Sequence, residues 1–161
     1  MTDNEGLLRA LDQGRVDFIL IGGVAAIVHG SARLTLDLDV VYARGRDNVE
    51  RLVSALAPFD PYPRGAPEGL PFQWDVRTVL AGLNFTLKTK LGGLDLLGEA
   101  SGGGTYEMLL PRSTMLRAYG LSFRCVTLEA LIFLKRAAGR PKDLETIAEL
   151  EALTEEIRRQ R

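Results

Sequence analysis

The sequence predicts an α/β chain: a mixed β-sheet flanked by helices, with a helical pair at the C-terminal end. Three observations predict it. An apolar run of strand length, Val16 to Ile21, meets Gly22-Gly23 and passes into a helical stretch, Val24 to Val28. A second run, Leu34 to Val41, alternates apolar and polar residues as a half-buried strand does. Beyond residue 127, two segments carry apolar stripes at helical spacing.

Taken in order, Asn4 to Gln13 reads as a short helix with Leu7, Leu8 and Leu11 on one side and Gly14 as its stop. In the alternating strand, Leu34, Leu36, Leu38 and Val40 share one face, and Thr35, Asp37 and Asp39 the other. Asp47 with Glu50 three residues on reads as an N-cap opening a helix whose apolar set is Val49, Leu52, Val53 and Leu56. Between Pro58 and Pro71 stand five of the seven prolines with Gly65 and Gly69, so this stretch reads as a long loop. LNFTLKT and LGGLDLLGE read as two neighbouring strands, turning near Gly92-Gly93. SGGG, Ser101 to Gly104, is a second loop; YEMLL is a helical turn and LSFRCVT a last strand. Thr127 caps the helix LEALIFLKRAA and Gly139 ends it. Pro141 suits the first turn of a final helix with the stripe Leu144, Ile147, Leu150 and Leu153.

At 161 residues, with no internal repeat or linker, the chain reads as one domain able to bury its own core. Hydrophobic residues make up 46% and charged residues 25%, an ordinary globular balance without a membrane-spanning run. The acidic, polar start does not look like a signal peptide. A single cysteine, Cys125, excludes an internal disulfide framework and fits a reducing cytoplasm; within LSFRCVTL it reads as a buried thiol. The net charge of −1 argues against a duplex-DNA footprint. Locally, Arg112 to Lys142 carries seven basic residues against one acid, Glu129. That stretch suits a polyanionic substrate; a merely solvated positive face is the competing reading.

The chemistry-bearing residues are the glycine pair and three aspartates. Gly22-Gly23 lets the backbone bend sharply and bring its N–H groups to an anion at a helix start, although such turns also serve packing alone. Period two places Asp37 and Asp39 on one face, where two like charges repel unless a cation with oxygen preference sits between them. Asp95 interrupts a later apolar strand, between Leu94 and Leu96. If it neighbours the first pair, three carboxylates converge. Such a trio suits two Mg²⁺ ions (or Mn²⁺) clamping an in-line displacement on a nucleoside triphosphate, with Asp95 also able to take a proton. A solvated polar strand edge is the alternative, although aspartate is a poor strand former.

An apolar residue with Gly-Gly, thirteen intervening residues, Asp-Leu-Asp, and later apolar-Asp-apolar resembles the nucleotidyltransferase superfamily with the DNA polymerase β catalytic fold. GGVAAIVHGSARLTLDLDVV is similar to the small bacterial nucleotidyltransferase-like proteins related to AbiEii toxins, as is the tail LEALIFLKRAAGRPKDLETIAEL with its Lys135 and Arg140-x-Lys142-Asp143. The resemblance implies a minimal nucleotidyltransferase fold over 1–161, with the catalytic sheet and helices over 1–110 and the C-terminal strand and helices over 111–161. It implies metal-dependent transfer of a nucleoside monophosphate from an NTP to a hydroxyl, releasing pyrophosphate. By the same comparison Gly22 and Gly23 line the triphosphate, Asp37, Asp39 and Asp95 bind metal and are catalytic, and Lys135, Arg140 and Lys142 contact phosphates or acceptor. Expected acceptors are an RNA 3′ end (tRNA among them) or a protein hydroxyl. A toxin–antitoxin pair, with a cognate antitoxin as partner, is a further expectation. Many members have Gly-Ser at the turn; here Gly23 leaves only backbone donors.

Other residues have weaker claims. Lys135 and Asp143 have the alternative of pairing with each other. Thr35 shares the aspartates' face and Arg33 precedes it on the same strand. His29, the only histidine, argues against a multi-histidine zinc site and reads as a packed or capping residue, with contact to substrate as the alternative. Tyr62, Phe72 and Trp74 read as anchors of the Pro-rich loop, with stacking on a base as the alternative. A different class of function also remains open: a catalytically silent nucleotide- or protein-binding module.

Overall fold

Four buried side chains in a row form the interior strand β1 (Phe18–Ile21), shorter than the predicted run from Val16. The structure, a computed structural model, describes residues 2–160 apart from 33, 34 and 36. Arg33, Leu34 and Leu36, part of the predicted alternating strand, therefore lie outside the described residues. What is described of that strand is β2 (Asp37–Tyr42), with Leu38 and Val40 buried and Asp37 and Asp39 half-buried. At its far end Val41 and Tyr42 are buried as well, so the alternation gives way to burial on both faces.

Helix α1 (Asn4–Gln13) precedes β1; the Asp3 side chain accepts the Gly6 N–H at 2.8 Å and Gly14 closes it. Leu7, Leu8 and Leu11 are fully buried. Helix α2 (Gly22–Val28) follows β1 without a loop. Helix α3 (Arg46–Leu56) has Gly45, not Asp47, at its N-cap. Asp47 lies in its first turn, where its charge still favours the helix dipole but caps nothing, and Glu50 pairs with Arg46 at 3.3 Å.

The Pro-rich segment is not simply a loop. It contributes a two-residue strand, β3 (Tyr62–Pro63), paired antiparallel with β4 (Asn84–Thr89). Tyr62 and Phe72 meet edge-on at 6.0 Å, and Trp74 Nε1 donates to the Val53 carbonyl at 3.0 Å, anchoring the segment. A short helix absent from the sequence reading, α4 (Val76–Ala81), is capped by Asp75, which accepts the Thr78 N–H at 2.8 Å.

Strand β5 (Gly92–Leu97) pairs antiparallel with β4, the predicted hairpin, and parallel with β2. The SGGG stretch closes a small hairpin of β6 (Glu99–Ala100) and β7 (Gly104–Thr105), and Thr105 caps α5 (Tyr106–Leu109). Strand β8 (Ser113–Ala118) is an edge strand not foreseen from the sequence; it pairs with β9 (Leu121–Val126), which runs parallel to β1. The sheet order is β3-β4-β5-β2-β1-β9-β8.

Helix α6 (Leu128–Ala138) is capped by Thr127 and ended by Gly139 at φ +64, as expected. Helix α7 (Asp143–Arg159) starts after Pro141, which lies in the preceding turn. Leu150 is buried and Ile147 and Leu153 pack on the core, whereas Leu144 is 70% exposed and outside the stripe. The helices form two packed groups, α1 with α3 and α4, and α6 with α7 and α2. No helix among the described residues is long and apolar enough to cross a membrane.

One buried polar side chain ties the first group to the sheet. Asn48 Oδ1 accepts the Asp17 N–H at 2.6 Å, and its Nδ2 donates to the Asp17 and Ala43 carbonyls at 3.0 and 2.8 Å. Asn48→Ala strands backbone groups in a buried position and is expected to cost about 2 kcal/mol, seen as a Tm fall of roughly 4–8 °C by calorimetry.

Candidate active site

Register brings the carboxylates together. Across the parallel β2–β5 pair, Asp39 lies opposite Asp95 and Asp37 opposite Gly93. Residues in register project to the same side, and period two adds Asp37 to that side. The three aspartates singled out from the sequence therefore share one face of two adjacent strands.

Glycines make room for them. Gly22 has φ +71, a conformation that disfavours any side chain, and a Cβ there would fall inside the Asp39 carboxylate. At Gly23 a Cβ would stand 2.6 Å from Thr35 Oγ1, so Thr35 packs directly on that backbone; its hydroxyl lies 3.4 Å from the Asp37 carbonyl. Gly93, taken from the sequence as part of a turn, is instead a clearance opposite Asp37. A Cβ there would overlap the Asp37 carboxylate and come within 2.9 Å of Arg64 Nη2.

Asp39 carries the electrostatic cost of the arrangement. Burial, the hydrogen bond and charge of Asp95, and the charge of Asp37 push its pKa up to about 8, against the opposing pull of Lys135. Half-buried Lys135 is in turn pushed below its ordinary value, first by burial and then by the charges of Arg140 and Lys142, with Asp143 and Asp39 opposing.

A cleft of about 370 Å³ opens on these groups. Gly22, Gly23, Asp39, Asp95, Lys135 and Arg140 line one part, and Leu97, Ala100, Leu131, Leu134 and Ala138 give it an apolar wall. Asp37, Thr35 and Lys142 do not line it. Asp37 is engaged on the other side, Thr35 sits behind Gly23, and Lys142 is exposed at the start of α7. A larger groove of about 660 Å³ runs between α6 and α7, but its charged lining of Arg112, Arg136, Arg158, Glu129, Glu151 and Glu155 includes no aspartate of the trio. The smaller cleft is the one that meets Asp39, Asp95 and the Gly22-Gly23 turn.

Arg140 is held in place. Its Nε and Nη2 donate to the Asp143 carboxylate at 2.8 and 3.3 Å. Burial pushes Asp143 up, but the hydrogen bonds and charge of Arg140 and the charge of Lys135 hold its carboxyl below the usual range. The acid thus serves Arg140 directly and Lys135 through charge.

Arg64, missed in the sequence, belongs to this site. It follows β3 and is the one basic residue between Pro58 and Pro71. Its Nη1 donates to Asp37 Oδ2 at 3.2 Å and its Nη2 to Asp95 Oδ1 at 3.0 Å. Among the described residues no three His, Cys, Asp or Glu side chains are grouped to hold a metal ion as they stand. The Arg64 guanidinium stands between two of the three carboxylates. The donor set itself, three carboxylates on adjacent strands, is the oxygen-only kind that hard divalent cations take.

His29 and Cys125 lie apart from this chemistry. His29 Nε2 donates to the Val126 carbonyl at 2.8 Å, 3.8 Å from Cys125 Sγ, and closes α2. Burial pushes the fully enclosed Cys125 thiol up to about 12, so it is not a nucleophile.

Known structures share the whole architecture. Lincosamide antibiotic adenylyltransferase LnuA, solved with lincomycin bound, superposes with a TM-score of 0.62 over 95% of this chain and 98% of its own, at 15% identity. The fold is that of the nucleotidyltransferases. ANT(2″)-Ia, in complex with adenylyl-2″-tobramycin, gives a TM-score of 0.56 at 16% identity, covering 96% of this chain and 94% of that one. An antigenic nucleotidyltransferase-like protein from Paracoccidioides brasiliensis gives 0.54 at 15% identity over 95% of this chain and 77% of its own. No protein-family model and no curated protein matches the sequence. In this nucleotidyltransferase fold the Gly-Gly turn and the three aspartates meet at one end of the β2–β5 pair.

Proposed function

We propose that the protein transfers a nucleoside monophosphate from an NTP to a hydroxyl acceptor, with Mg²⁺ (or Mn²⁺) held by Asp37, Asp39 and Asp95. The observation that carries this reading is the register that sets Asp39 beside Asp95, with Asp37 on the same face and Gly22 pressed against the Asp39 carboxylate. Two bound cations would neutralise the charge of the triphosphate and of the attacking and leaving oxygens. The chain's own groups do the rest. Gly22 and Gly23 present backbone at the cleft, and Lys135 and Arg140 face phosphate oxygens there, with Thr35 supporting the turn from behind and Lys142 adding charge from outside. The acceptor oxygen bonds to the α-phosphorus as the bond to the pyrophosphate oxygen breaks, and Asp95 takes the acceptor's proton.

For the acceptor, the AbiEii-like motifs support an RNA 3′ end, tRNA included, or a protein hydroxyl, as in a toxin whose antitoxin is a partner. A small-molecule hydroxyl is the second reading. It is favoured by the apolar wall of the cleft and by two structural relatives described as acting on, or holding, antibiotics. The test supplies each of four α-³²P NTPs with Mg²⁺ to total RNA, lysate protein, and lincosamide and aminoglycoside panels, beside Asp37→Ala/Asp39→Ala. Label moving to one acceptor class only with the wild-type chain is the expected result. No label on any acceptor, from folded protein that still binds NTP, would replace transfer with the silent binding-module reading.

A further inference from the structure

We infer that Arg64 is a built-in counter-cation that competes with divalent metal for the Asp37–Asp95 pair and keeps these carboxylates in position. The inference rests on reading the three aspartates as cation ligands, and extends it to a residue outside that set. Three observations carry it.

The first is geometry. Nη1 and Nη2 of one guanidinium reach one oxygen each of Asp37 and Asp95, at 3.2 and 3.0 Å, and Nη2 also donates to the Leu87 carbonyl at 2.8 Å. A planar fork with fixed donors suits two carboxylates on neighbouring strands better than a lysine ammonium does. The space it occupies is kept by Gly93, where any Cβ would come within 2.9 Å of Nη2. Clearance on the sheet is thus shaped for the guanidinium as well as for Asp37.

The second is that the fit is incomplete. Arg64 Nε is buried with no hydrogen-bond partner among the described residues, although both Nη atoms are engaged. An unpaired buried donor makes the inward position less favourable than its ion pairs alone suggest. That leaves the guanidinium displaceable by a stronger cation.

The third is the segment that delivers it. Arg64 follows a two-residue edge strand and is fastened by its own N–H to the Thr86 carbonyl at 2.9 Å. Gly65, the next residue, has φ +79 and open space around it. The backbone is therefore fixed immediately before the side chain, while the side chain itself, 31% exposed, has a route to solvent. The ion pairs of Arg64 run to Asp37 and Asp95, whereas Asp39 faces Asp95 and Gly22. One guanidinium serves two of three carboxylates, and a divalent ion held by the trio would compete with it for the charge of Asp37 and Asp95.

The experiment measures Mn²⁺ affinity by electron paramagnetic resonance for the wild-type chain, Arg64→Gln, Arg64→Lys and Asp39→Asn, with Tm in EDTA and in Mn²⁺ for each. Arg64→Gln removes the competing charge and keeps a hydrogen-bonding side chain. It is expected to bind Mn²⁺ on the order of tenfold more tightly than wild type, to melt lower in EDTA, and to gain more Tm from Mn²⁺. Arg64→Lys, which keeps charge without the fork, is expected to fall between them. Unchanged or weaker binding by folded Arg64→Gln, with wild-type binding intact and lost in Asp39→Asn, overturns the counter-cation role and leaves the metal site standing. Absence of Mn²⁺ binding from every protein overturns the metal-site reading as well. An EDTA Tm of Arg64→Gln equal to or above wild type overturns the positioning role.

Discussion

Asp39→Asn is expected to lower nucleotidyl transfer about a thousandfold or more while raising the Tm of the protein in EDTA. The first effect follows from the place of this carboxylate. Asp39 lines the cleft together with Asp95, faces Asp95 across the strand pair and alone of the trio stands against Gly22. An amide keeps the shape but loses the charge that, in the proposed function, holds a hard cation and the triphosphate with it. The second effect follows from the cost of that charge. With a pKa pushed up from 3.8 to about 8 by burial and by Asp95 and Asp37, the folded chain binds a proton that the unfolded chain has already released. Stability from this group is therefore lost as pH rises from about 4 to about 8 and is level above. The amide has no such dependence, so the variant's advantage is near zero at pH 4, grows as pH rises and is largest above about pH 8. On the proposed metal site, adding Mg²⁺ is expected to reverse the order by stabilising the wild type alone. Transfer at the wild-type rate by the variant would sink the mechanism, and a Tm difference that does not grow with pH would sink the electrostatic account.

How much of this site was legible in the sequence depends on how local each signal is. Asp37 and Asp39 could be read because a period of two is a property of a few consecutive residues. Asp95 could be picked out as a polar residue in an apolar strand, but its place beside Asp39 depends on β5 running parallel to β2, a pairing across more than fifty residues that no local pattern encodes. Arg64 was hidden by its surroundings. Prolines and glycines on both sides marked the segment as loop, and a two-residue edge strand is too short to show any period. A lone cation in an otherwise uncharged-or-acidic loop was the one available signal. The same limits explain the fold. Helix α4 is six residues long, and β8, half-exposed along the edge of the sheet, lacks the apolar alternation that revealed β2. Asp47 offered the spacing of a cap, yet the helix begins one residue before it because Gly45 supplies an extended backbone that turns into α3. The glycines illustrate the deeper gap. Gly22-Gly23 suggested an anion-binding turn, whereas the packing adds a second demand, direct clearance for Asp39 and Thr35.

That clearance leads to the other large effect: Gly22→Ala is expected to lower both stability and transfer, whereas matched changes at open glycines are not. Two costs act at residue 22. A backbone φ of +71 costs an L-residue about 1 kcal/mol. The added methyl would also collide with the Asp39 carboxylate, an overpacking cost of about 1–3 kcal/mol that can be relieved only by moving Asp39 or the start of α2. Gly120 separates the two costs. Its φ is +73, nearly the same, but a Cβ there meets nothing within 4 Å. Gly45 has neither the positive φ nor a near neighbour. In a thermal series, Gly45→Ala is expected near the wild-type Tm, Gly120→Ala about 2–4 °C lower, and Gly22→Ala roughly 5–15 °C lower. Only Gly22→Ala should also lose transfer, about a hundredfold, because displacing Asp39, a cation ligand in the proposed function, by even about 1 Å would spoil the reacting geometry. If Gly22→Ala and Gly120→Ala fall by the same amount and both retain activity, the glycine turn serves backbone conformation alone and Asp39 is not seated by it.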